Sequence, residues 1–354
     1  MSKLHLQDFL KATAKEVNAE LSAFFPKKIT EKWVSSSLGK PEFGYDLNAS
    51  QKAIAEPIWD FLSRGGKRWR PALLLLACEA AGGSRKKAMP FTVIPELVHN
   101  GTIMVDDIED NSTVRRGKPS THLLFGVDVA VNAGNAMYYI PLKVLINDRK
   151  LSAQVKAQIY DIYSVSLLRL SFGQAMDIHW HKGGSNVSEA QYLQMCCYKT
   201  GSLARLSAEL GAVLGGANPE HVSRFGDFAE SIGVAFQIQD DILNLKPEHV
   251  EWGKEIGEDI KEGKRSLIVI HALSTVAAQK KNRLLGILNS KEKSDDDVKE
   301  AISIIDSAGS IEYAKKVARR LVLSSWNKLE KKLKDSEAKS LLKEFADYMV
   351  ERSQ

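Results

Sequence analysis

The sequence predicts an all-α protein whose main part is a single domain, a bundle of about ten or more helices. Apolar residues recur at helical spacing along nearly the whole chain, as over residues 4–25, where Leu6, Leu10, Val17 and Leu21 share one side of a helix. No stretch of the sequence shows the sustained alternation of a strand, and no repeat is present. The breaks in periodicity coincide with Gly-Gly pairs, Pro or Asn, which end helices.

The predicted helices follow one another with short breaks. Residues 35–48 contain Gly, Pro and Asn and are predicted to form a loop, which separates an N-terminal helical extension and loop (1–48) from the main domain (49–354). Pro95 is expected to open or bend its helix, and Pro141 to kink its own. The further helices are predicted at 49–63, 71–82, 91–109, 120–147, 151–180, 188–215, 219–245, 264–275, 282–289, 296–305 and 309–352.

The composition argues against several classes of protein. Of the 354 residues, 44% are hydrophobic and 26% are charged, which is ordinary for a globular domain. The formal net charge of +5 is small for this length, and the sequence has no dense basic tail. An anionic small substrate fits this charge at least as well as nucleic acid, which we do not expect as a partner.

The sequence also indicates a cytoplasmic protein without a membrane span. The three cysteines, Cys78, Cys196 and Cys197, form neither a disulfide framework nor a zinc-ligand spacing, which indicates a reducing compartment. Charged residues interrupt the first 25 positions, so no apolar stretch there has the length of a signal peptide. The most apolar run, residues 72–78, is too short to cross a bilayer.

The strongest candidate for a functional site is the acidic cluster at residues 106–110 (DDIED). On a helix Asp106 and Asp110 lie one turn apart on one face, about 6 Å along the axis. Carboxylates so close repel one another unless cations neutralise them, and Mg2+ typically uses a few carboxylates together with substrate phosphates. The alternative is a solvated acidic face, but the apolar run before the cluster and Arg115 and Arg116 after it favour a site for phosphate.

A second acidic cluster, residues 239–244 (QDDILN), lies 134 positions later, counted from Asp106 to Asp240. Asn244 stands where a third carboxylate would make the two clusters alike. Two carboxylate clusters around a diphosphate form a metal clamp that would stabilise a departing pyrophosphate.

Basic residues accompany both clusters. The segment at residues 65–71 (GGKRWRP) predicts a tight turn leading into a helix, with Pro71 near its first position. A helix N-terminus beside clustered cations favours phosphate. Lys199, Lys254 and Lys264 are further candidates, because their combination with the acidic clusters indicates more than the surface role usual for a single lysine.

Together these motifs resemble those of the trans-isoprenyl (polyprenyl) diphosphate synthases, and among them the geranylgeranyl diphosphate synthases. They occur in the order of that family over residues 65–265. The matching segments are GKRWRP (66–71), DDIEDNSTVRRG (106–117), Gly173-Gln174 with Asp177, KTG (199–201), FQIQDD (236–241), and Gly253-Lys254 followed by Asp259 and Lys264. The resemblance implies helices packed around a deep central cavity, a homodimer, and transfer of an allylic group (dimethylallyl, geranyl or farnesyl diphosphate) to isopentenyl diphosphate.

The resemblance also implies a role for each group of residues. Three Mg2+ ions per active site would be held by Asp106, Asp110 and Asp240, supported by Asp107, Asp177 and Asp241. The allylic diphosphate would be neutralised by Arg115, Lys199, Lys254 and Lys264. The diphosphate of isopentenyl diphosphate would be bound by Lys67, Arg70, His99 and Arg116. Thr200 and Gln237 would stabilise the carbocation through their oxygen dipoles, while His179 and His181 have no role in this scheme.

In this family the helix before the first acidic cluster lines the cavity for the growing chain. Gly101 and Thr102, five and four residues before Asp106, are both small, which argues against an early stop at fifteen carbons. Tyr138 and Tyr139 on the facing helix are candidates for a deeper floor, with ordinary core packing as the alternative. The expected product is geranylgeranyl diphosphate, with twenty carbons, and Gly101→Phe is expected to shorten it.

Other readings of the sequence remain open. A farnesyl or longer-chain polyprenyl diphosphate synthase would share all the motifs. A class I terpene cyclase would lack the set Lys67, Arg70 and His99, and a non-catalytic partner subunit would show eroded motifs. A di-metal oxidase would use Glu96 and His99 at Glu-x-x-His spacing, but it needs a second such motif, which the sequence lacks.

Overall fold

Helices make up most of the structure, as the sequence predicts. The computed structural model describes residues 2–181, 186–245 and 257–351. Its helices are α1 (Ser2–Phe24), α2 (Glu31–Leu38), α3 (Leu47–Ser50), α4 (Glu56–Ser63), α5 (Trp69–Ala80), α6 (Arg85–Ala88), α7 (Val93–Glu109), α8 (Thr121–Phe125), α9 (Val127–Tyr139), α10 (Lys143–Asn147), α11 (Ala153–His181), α12 (Glu189–Cys196), α13 (Ser202–Leu214), α14 (Pro219–Leu243), α15 (Glu258–Glu262), α16 (Leu267–Thr275), α17 (Ala278–Asn289), α18 (Asp295–Ser307), α19 (Ser310–Leu329) and α20 (Glu337–Glu351). Short π-helical segments (Gln51–Ala55, Cys197–Gly201) and 3₁₀ segments (Met89–Thr92, Ile140–Leu142, Glu330–Lys332) extend or connect neighbouring helices, and β1 (Val114–Arg115) pairs with β2 (Lys118–Pro119) in an antiparallel hairpin. Among the described helices, none has both the length and the apolarity to span a bilayer.

Helix α13 lies inside the bundle, with α5, α11 and α14 packed against it. Helix α5 is buried along most of its length because leucines 73–76 leave it no polar face. Gly211 permits the closest approach of α13 to α5, since a Cβ there would lie 2.1 Å from the carbonyl oxygen of Leu74. This contact sets the first turn of α5, and with it Arg70, in the interior of the molecule.

Local sequence sets the beginnings of two helices that carry site residues. The Oδ1 of Asn218 accepts a hydrogen bond from the N–H of His221 at 2.9 Å, and Pro219 occupies the first position of α14. Ser188 and Gln191 form a reciprocal capping box at the start of α12. Both helices therefore begin where the side chains satisfy free backbone N–H groups.

The predicted helix boundaries were wrong in several places. The stretch 120–147 is interrupted at Gly126, whose φ of 93° ends α8, and at Pro141, which lies in a 3₁₀ segment as the predicted kink requires. The stretch 309–352 is two helices, because Leu333 is extended and Ser336 caps the next turn through the N–H of Lys339 at 3.2 Å. The predicted loop over 35–48 contains the end of α2 and the start of α3, and the sequence pattern missed α15 and the β1–β2 hairpin.

Candidate active site

A cavity of about 800 Å3 opens within the bundle. Its walls come from α7, α11, α14, the π-helical segment Cys197–Gly201, the β1–β2 hairpin and the segment that begins with α15. The predicted site residues that line it are Arg70, His99, Thr102, Asp106, Asp110, Arg115, Arg116, Tyr138, Asp177, Lys199, Thr200, Gln237, Asp240, Asp241 and Lys264. Four others, Lys67, Gly101, Asp107 and Tyr139, are not among the lining residues, and Lys254 lies outside the described part of the chain.

The first acidic cluster occupies the last turn of α7. Gln174 Nε2 donates to Asp106 Oδ1 at 2.8 Å and to Glu109 Oε2 at 2.7 Å. Burial raises the pKa of Asp106, but Lys199 and Gln174 outweigh it and hold that pKa below its usual value. Burial, with Asp106 close by, raises the pKa of Asp110 to about 6. The two carboxyls of this pair thus differ in how readily they ionise.

Asp107 is adjacent to Asp106 but points away from the cavity. It is fully buried, and its Oδ1 accepts from both Nε (2.8 Å) and Nη2 (2.5 Å) of Arg115. Its Oδ2 is buried without a hydrogen-bond partner. Burial raises the pKa of Asp107 and Arg115 opposes the rise. Asp107 therefore orients Arg115, which does line the cavity.

Lys199 lies between two carboxylates. Its Nζ is 3.1 Å from Asp106 Oδ1 and 2.5 Å from Asp177 Oδ2. Burial lowers its pKa, but Asp106 and Asp177 prevail and raise it, so the ammonium stays charged. Gly173 of α11 makes this approach possible, since a Cβ there would lie 2.3 Å from the backbone nitrogen of Lys199. The Gly-Gln motif thus combines a close backbone contact with the Gln174 bridge.

A chain of hydrogen bonds connects the π-helical segment to the second acidic cluster. Thr200 Oγ1 donates to Gln237 Oε1 (2.9 Å), and Gln237 Nε2 donates to Asp241 Oδ1 (2.8 Å). The hydroxyl of Tyr192 donates to the other oxygen of Asp241 at 2.6 Å. Burial, reinforced by Asp259, raises the pKa of Asp241 to about 7. Tyr192 carries no motif that would have identified it from the sequence.

Asn244, at the end of α14, forms hydrogen bonds to the segment that carries Asp259 and Lys264. Its backbone oxygen accepts from Gly257 N–H at 2.8 Å, and its Oδ1 accepts from Asp259 N–H at 3.1 Å. Lys264 Nζ lies 3.2 Å from Asp259 Oδ1 and 2.6 Å from Glu262 Oε2. Burial lowers the pKa of Lys264, but these carboxylates raise it well above its usual value. Asn244 thereby attaches the segment with Lys264 to the end of α14.

A cationic corner lies at another wall of the cavity. Arg70 Nη1 donates to His99 Nε2 at 3.0 Å, and Arg116 Nη1 donates to the carbonyl of Gly65 at 2.6 Å. Burial lowers the pKa of Arg70 and of Arg116 to about 10 each. Burial and the neighbouring arginines lower the pKa of His99 well below 6.5, so it is neutral near pH 7. Arg70 Nε is buried without a hydrogen-bond partner, which suits an anionic ligand.

Glu96 is not a metal ligand beside His99, as the oxidase reading would require. Its Oε1 accepts from Arg68 Nη1 at 2.5 Å and from Asn100 Nδ2 at 2.6 Å, and the side chain is buried away from the cavity. His99 instead contacts Arg70. The Glu-x-x-His spacing of the sequence thus reflects two separate packing environments.

The carboxylates fit a metal that shares its ligands with a substrate. Within the described residues no three His, Cys, Asp or Glu side chains form a ready-made metal site. Asp106, Asp110 and Asp240 nonetheless line one cavity, and burial together with the neighbouring Asp106 raises the pKa of Asp110 to about 6, as expected for a carboxyl that a cation would stabilise in its ionised form. Mg2+ commonly takes one or two carboxylates and completes its shell with phosphate oxygens and water.

The chain-length candidates divide into two pairs. Thr102 and Tyr138 line the cavity, whereas Tyr139 is 70% exposed on the outside of α9. Gly101 packs against α9: a Cβ there would lie 2.7 Å from the carbonyl oxygen of Gly134 and 2.9 Å from Met137 Cβ. A large side chain at Gly101 would therefore push α7 and α9 apart before it could fill the channel.

The fold and the site define a class of protein, the polyprenyl synthetases: the chain belongs to this family, whose model matches residues 51–305. The short chain isoprenyl diphosphate synthase of Methanocaldococcus jannaschii is 40% identical over 256 residues, 72% of this chain and 76% of that protein. The geranylfarnesyl diphosphate synthase of Aeropyrum pernix is 34% identical over 82% of this chain and 92% of its own length. The geranylgeranyl pyrophosphate synthetase of Pyrococcus horikoshii has a crystal structure similar to this one, with a TM-score of 0.86 and 29% identity over 100% of both chains. The predictions of an all-α isoprenyl synthase fold and of a prenyltransferase are confirmed, and the family depends on Mg2+.

Proposed function

We propose that this enzyme joins isopentenyl diphosphate to allylic diphosphates and releases mainly geranylgeranyl diphosphate. The observation that carries the proposal is the content of one cavity: two carboxylate clusters, a set of buried cations, and apolar lining side chains such as Ile103, Leu203 and Phe236. The charged part suits two diphosphates and their metal ions, and the apolar part suits a prenyl tail.

The allylic diphosphate would bind between the acidic clusters. Asp106, Asp110 and Asp240 would hold Mg2+, which when bound supplies positive charge for the departing pyrophosphate. Arg115, Lys199 and Lys264 would add fixed positive charge, and the carboxylates around the two lysines keep them protonated. Three further carboxylates would orient these and other groups through hydrogen bonds: Asp107 would orient Arg115, Asp177 would orient Lys199, and Asp241 would orient Gln237. Lys254 would neutralise the allylic diphosphate together with Arg115, Lys199 and Lys264.

Isopentenyl diphosphate would bind in the cationic corner. The unpartnered Nε of Arg70 and the guanidinium of Arg116 would contact its diphosphate, joined by Lys67 from the exposed turn before α5. His99 would accept from Arg70 and hold it in place. The double bond would then lie near the carbon that loses pyrophosphate.

The reaction would proceed by ionisation, condensation and proton loss. The C1–O bond of the allylic substrate breaks, and the pyrophosphate leaves with the electron pair. The double bond of isopentenyl diphosphate attacks the resulting cation, and the loss of a proton to the pyrophosphate forms the new allylic double bond. The oxygens of Thr200 and Gln237 would stabilise the cation, and the apolar residues Ile103, Leu203 and Phe236 would keep water away from it.

The twenty-carbon product rests on the cavity and on the relatives together. Thr102 and Tyr138 both line the cavity. The small Thr102 would let the chain pass the first turn before Asp106, and Tyr138 would form the floor that stops it. The Pyrococcus horikoshii protein is named for a twenty-carbon product, whereas the Aeropyrum pernix protein is named for a longer one. Because membership of the family does not determine the length of the product, we assign that role to the residues that line the cavity.

The deciding experiment incubates the protein with labelled isopentenyl diphosphate, farnesyl diphosphate and Mg2+, and separates the dephosphorylated products by length. We expect a twenty-carbon alcohol that requires Mg2+. Longer alcohols would keep the activity and refute the assigned wall. A hydrocarbon product would indicate a terpene cyclase, and no product from folded protein would indicate a partner subunit.

We also propose that the enzyme is a homodimer in the cytoplasm. Val127 and Val131 on α9, and Val165, Leu168 and Phe172 on α11, form apolar stripes that are exposed in the single chain. The cavity-lining residues Asn135, Ser171 and Ala175 are exposed on the same two helices, so a second copy would cover both the stripes and the cavity opening. The cytoplasmic location rests on the three free cysteines.

A further inference from the structure

Arg68 is a buried cation that the proposed mechanism does not use. It lies between Lys67 and Arg70, in the turn assigned to isopentenyl diphosphate, and only 4% of it is exposed. Its φ of 49° is in the left-handed region, which residues with a Cβ rarely adopt. This conformation needs specific contacts to hold it.

The guanidinium supplies those contacts through each of its three nitrogens. Nε donates to Asn18 Oδ1 (3.0 Å), Nη1 to Glu96 Oε1 (2.5 Å) and Nη2 to the carbonyl of Leu62 (2.9 Å). These partners belong to α1, α7 and α4, so Arg68 connects three helices beneath the turn. Each nitrogen is bound to the protein, and Arg68 is not among the residues that line the cavity, so it acts on the protein and not on a diphosphate.

The same contacts govern the position of the neighbouring cations. A Cβ at Gly66 would lie 3.2 Å from Arg68 Nη1 and 3.5 Å from Arg116 Nη2, so both guanidinium groups lie against the turn. Glu96 is 2% exposed and neutralises part of this charge. If Arg68 lost its partners, the repulsion from Arg116 and the unfavourable φ would both favour rearrangement of the turn.

We propose that Arg68 is a positioning residue through which helix α1, by way of Asn18, sets the affinity for isopentenyl diphosphate. The inference rests on the proposed function and gives a role to the predicted N-terminal extension. Helix α1 packs on α5, α7 and α20 of its own chain through buried residues such as Val17 and Leu21. It thus offers a rigid base for Asn18 beside the turn.

The test compares KM for the two substrates in Asn18→Ala, Asn18→Asp and Arg68→Lys. Asn18→Ala removes one acceptor from an exposed position and leaves the buried side of α1 unchanged. KM for isopentenyl diphosphate is expected to rise about tenfold, the lower end of the effect of one hydrogen bond to a charged group. Asn18→Asp keeps an acceptor and is expected to restore the wild-type KM. Arg68→Lys is expected to raise the same KM further, with KM for farnesyl diphosphate unchanged.

Ser22→Ala is the matched control, because the Ser22 hydroxyl donates to the backbone oxygen of Asn18, one turn away on the same helix, and the Asn18 side chain keeps its bond to Arg68. An equal rise of both KM values, or the same change in Ser22→Ala, would overturn the inference. An unchanged KM for isopentenyl diphosphate in Asn18→Ala would also overturn the inference, whether or not Arg68→Lys folds. A wild-type enzyme that elongates no substrate would instead refute the proposed function.

Discussion

Neighbouring residues of one acidic cluster have different surroundings. Successive positions on a helix point about 100° apart, so Asp106 enters the cavity while Asp107 is buried against Arg115. Asp106 meets Lys199 and Gln174, which favour its ionised form, whereas the burial of Asp107 disfavours ionisation. One carboxylate is thus available for a metal, and the other holds a cation in place.

This difference predicts the effect of Asp106→Asn. The amide retains the shape of the side chain but loses the charge that would attract Mg2+, so kcat is expected to fall about 10²-fold or more. Steady-state elongation assays across a range of Mg2+ concentrations measure the effect. Asp347→Asn, at a half-exposed position paired with Lys343, is the control and is expected to keep full activity. Full activity in Asp106→Asn would contradict the assignment of this cluster.

His99 predicts a pH dependence of stability. Its pKa is held well below 6.5 by burial and the surrounding arginines, so below pH 6.5 the unfolded chain binds a proton that the folded chain refuses. Its contribution to the free energy of unfolding is therefore present above pH 6.5 and lost on acidification, by at most about 1.4 kcal/mol at pH 5.5.

Urea denaturation at pH 7.5 and 5.5 measures this loss. The variant His99→Gln lacks the titrating imidazole. The difference in its free energy of unfolding between pH 7.5 and 5.5 should therefore be smaller than in the wild type by the contribution of His99. An identical pH dependence in the wild type and the variant would show that His99 binds a proton equally well in the folded and the unfolded state, which would contradict a lowered pKa.

At the scale of helices, the sequence pattern identified many of the residues that line the cavity, but it did not predict the direction in which individual side chains point. The two acidic clusters could be found because their residues are close in sequence and their chemistry is distinctive. Gly101 and Thr102 could not be told apart, since both precede Asp106 by about one turn and only the position of α9 decides which faces the cavity. Tyr192 and Glu96 reach their partners through tertiary packing, for which local spacing gives no signal.

The two adjacent tyrosines of α9 provide a test of the chain-length wall. Tyr138→Ala would extend the cavity by the volume of a phenol ring, so products of twenty-five carbons or more are expected. Tyr139→Ala is the matched control, because that side chain lies outside and should leave the product length unchanged. Product lengths from farnesyl diphosphate measure both variants, and the same product spectrum in both would refute the wall at Tyr138.

The structure alters the expected effect of the substitution Gly101→Phe. Because a Cβ at Gly101 would meet the backbone of α9, a phenylalanine is expected to destabilise the packing of α7 and α9 rather than only to shorten the product. Thr102→Phe is the better probe, since Thr102 lies on the cavity wall. It is expected to shorten the product to fifteen carbons, and the same chromatographic assay measures this.

At the scale of the whole molecule, the single chain leaves an apolar surface uncovered next to its cavity. Val165, Leu168 and Phe172 lie at i, i+3 and i+7 on α11, the spacing of one helix face, and Phe172 is 67% exposed. Exposed apolar side chains at such spacing are typical of a helix that packs against another subunit. The sequence could not separate them from core residues, because core helices show the same periodicity.

The proposed homodimer predicts a change of mass in Leu168→Asp/Phe172→Asp. Two buried carboxylates at the interface would each lose their hydration without a partner, so the double variant is expected to run as a monomer of 39.2 kDa, while the wild type has twice that mass. Size-exclusion chromatography with light scattering measures both. Phe43→Asp, which changes an 82% exposed phenylalanine in the connection between α2 and α3, is the control and should remain a dimer. A monomeric wild type, or a dimeric double variant, would mean that this face of α11 is not a dimer interface.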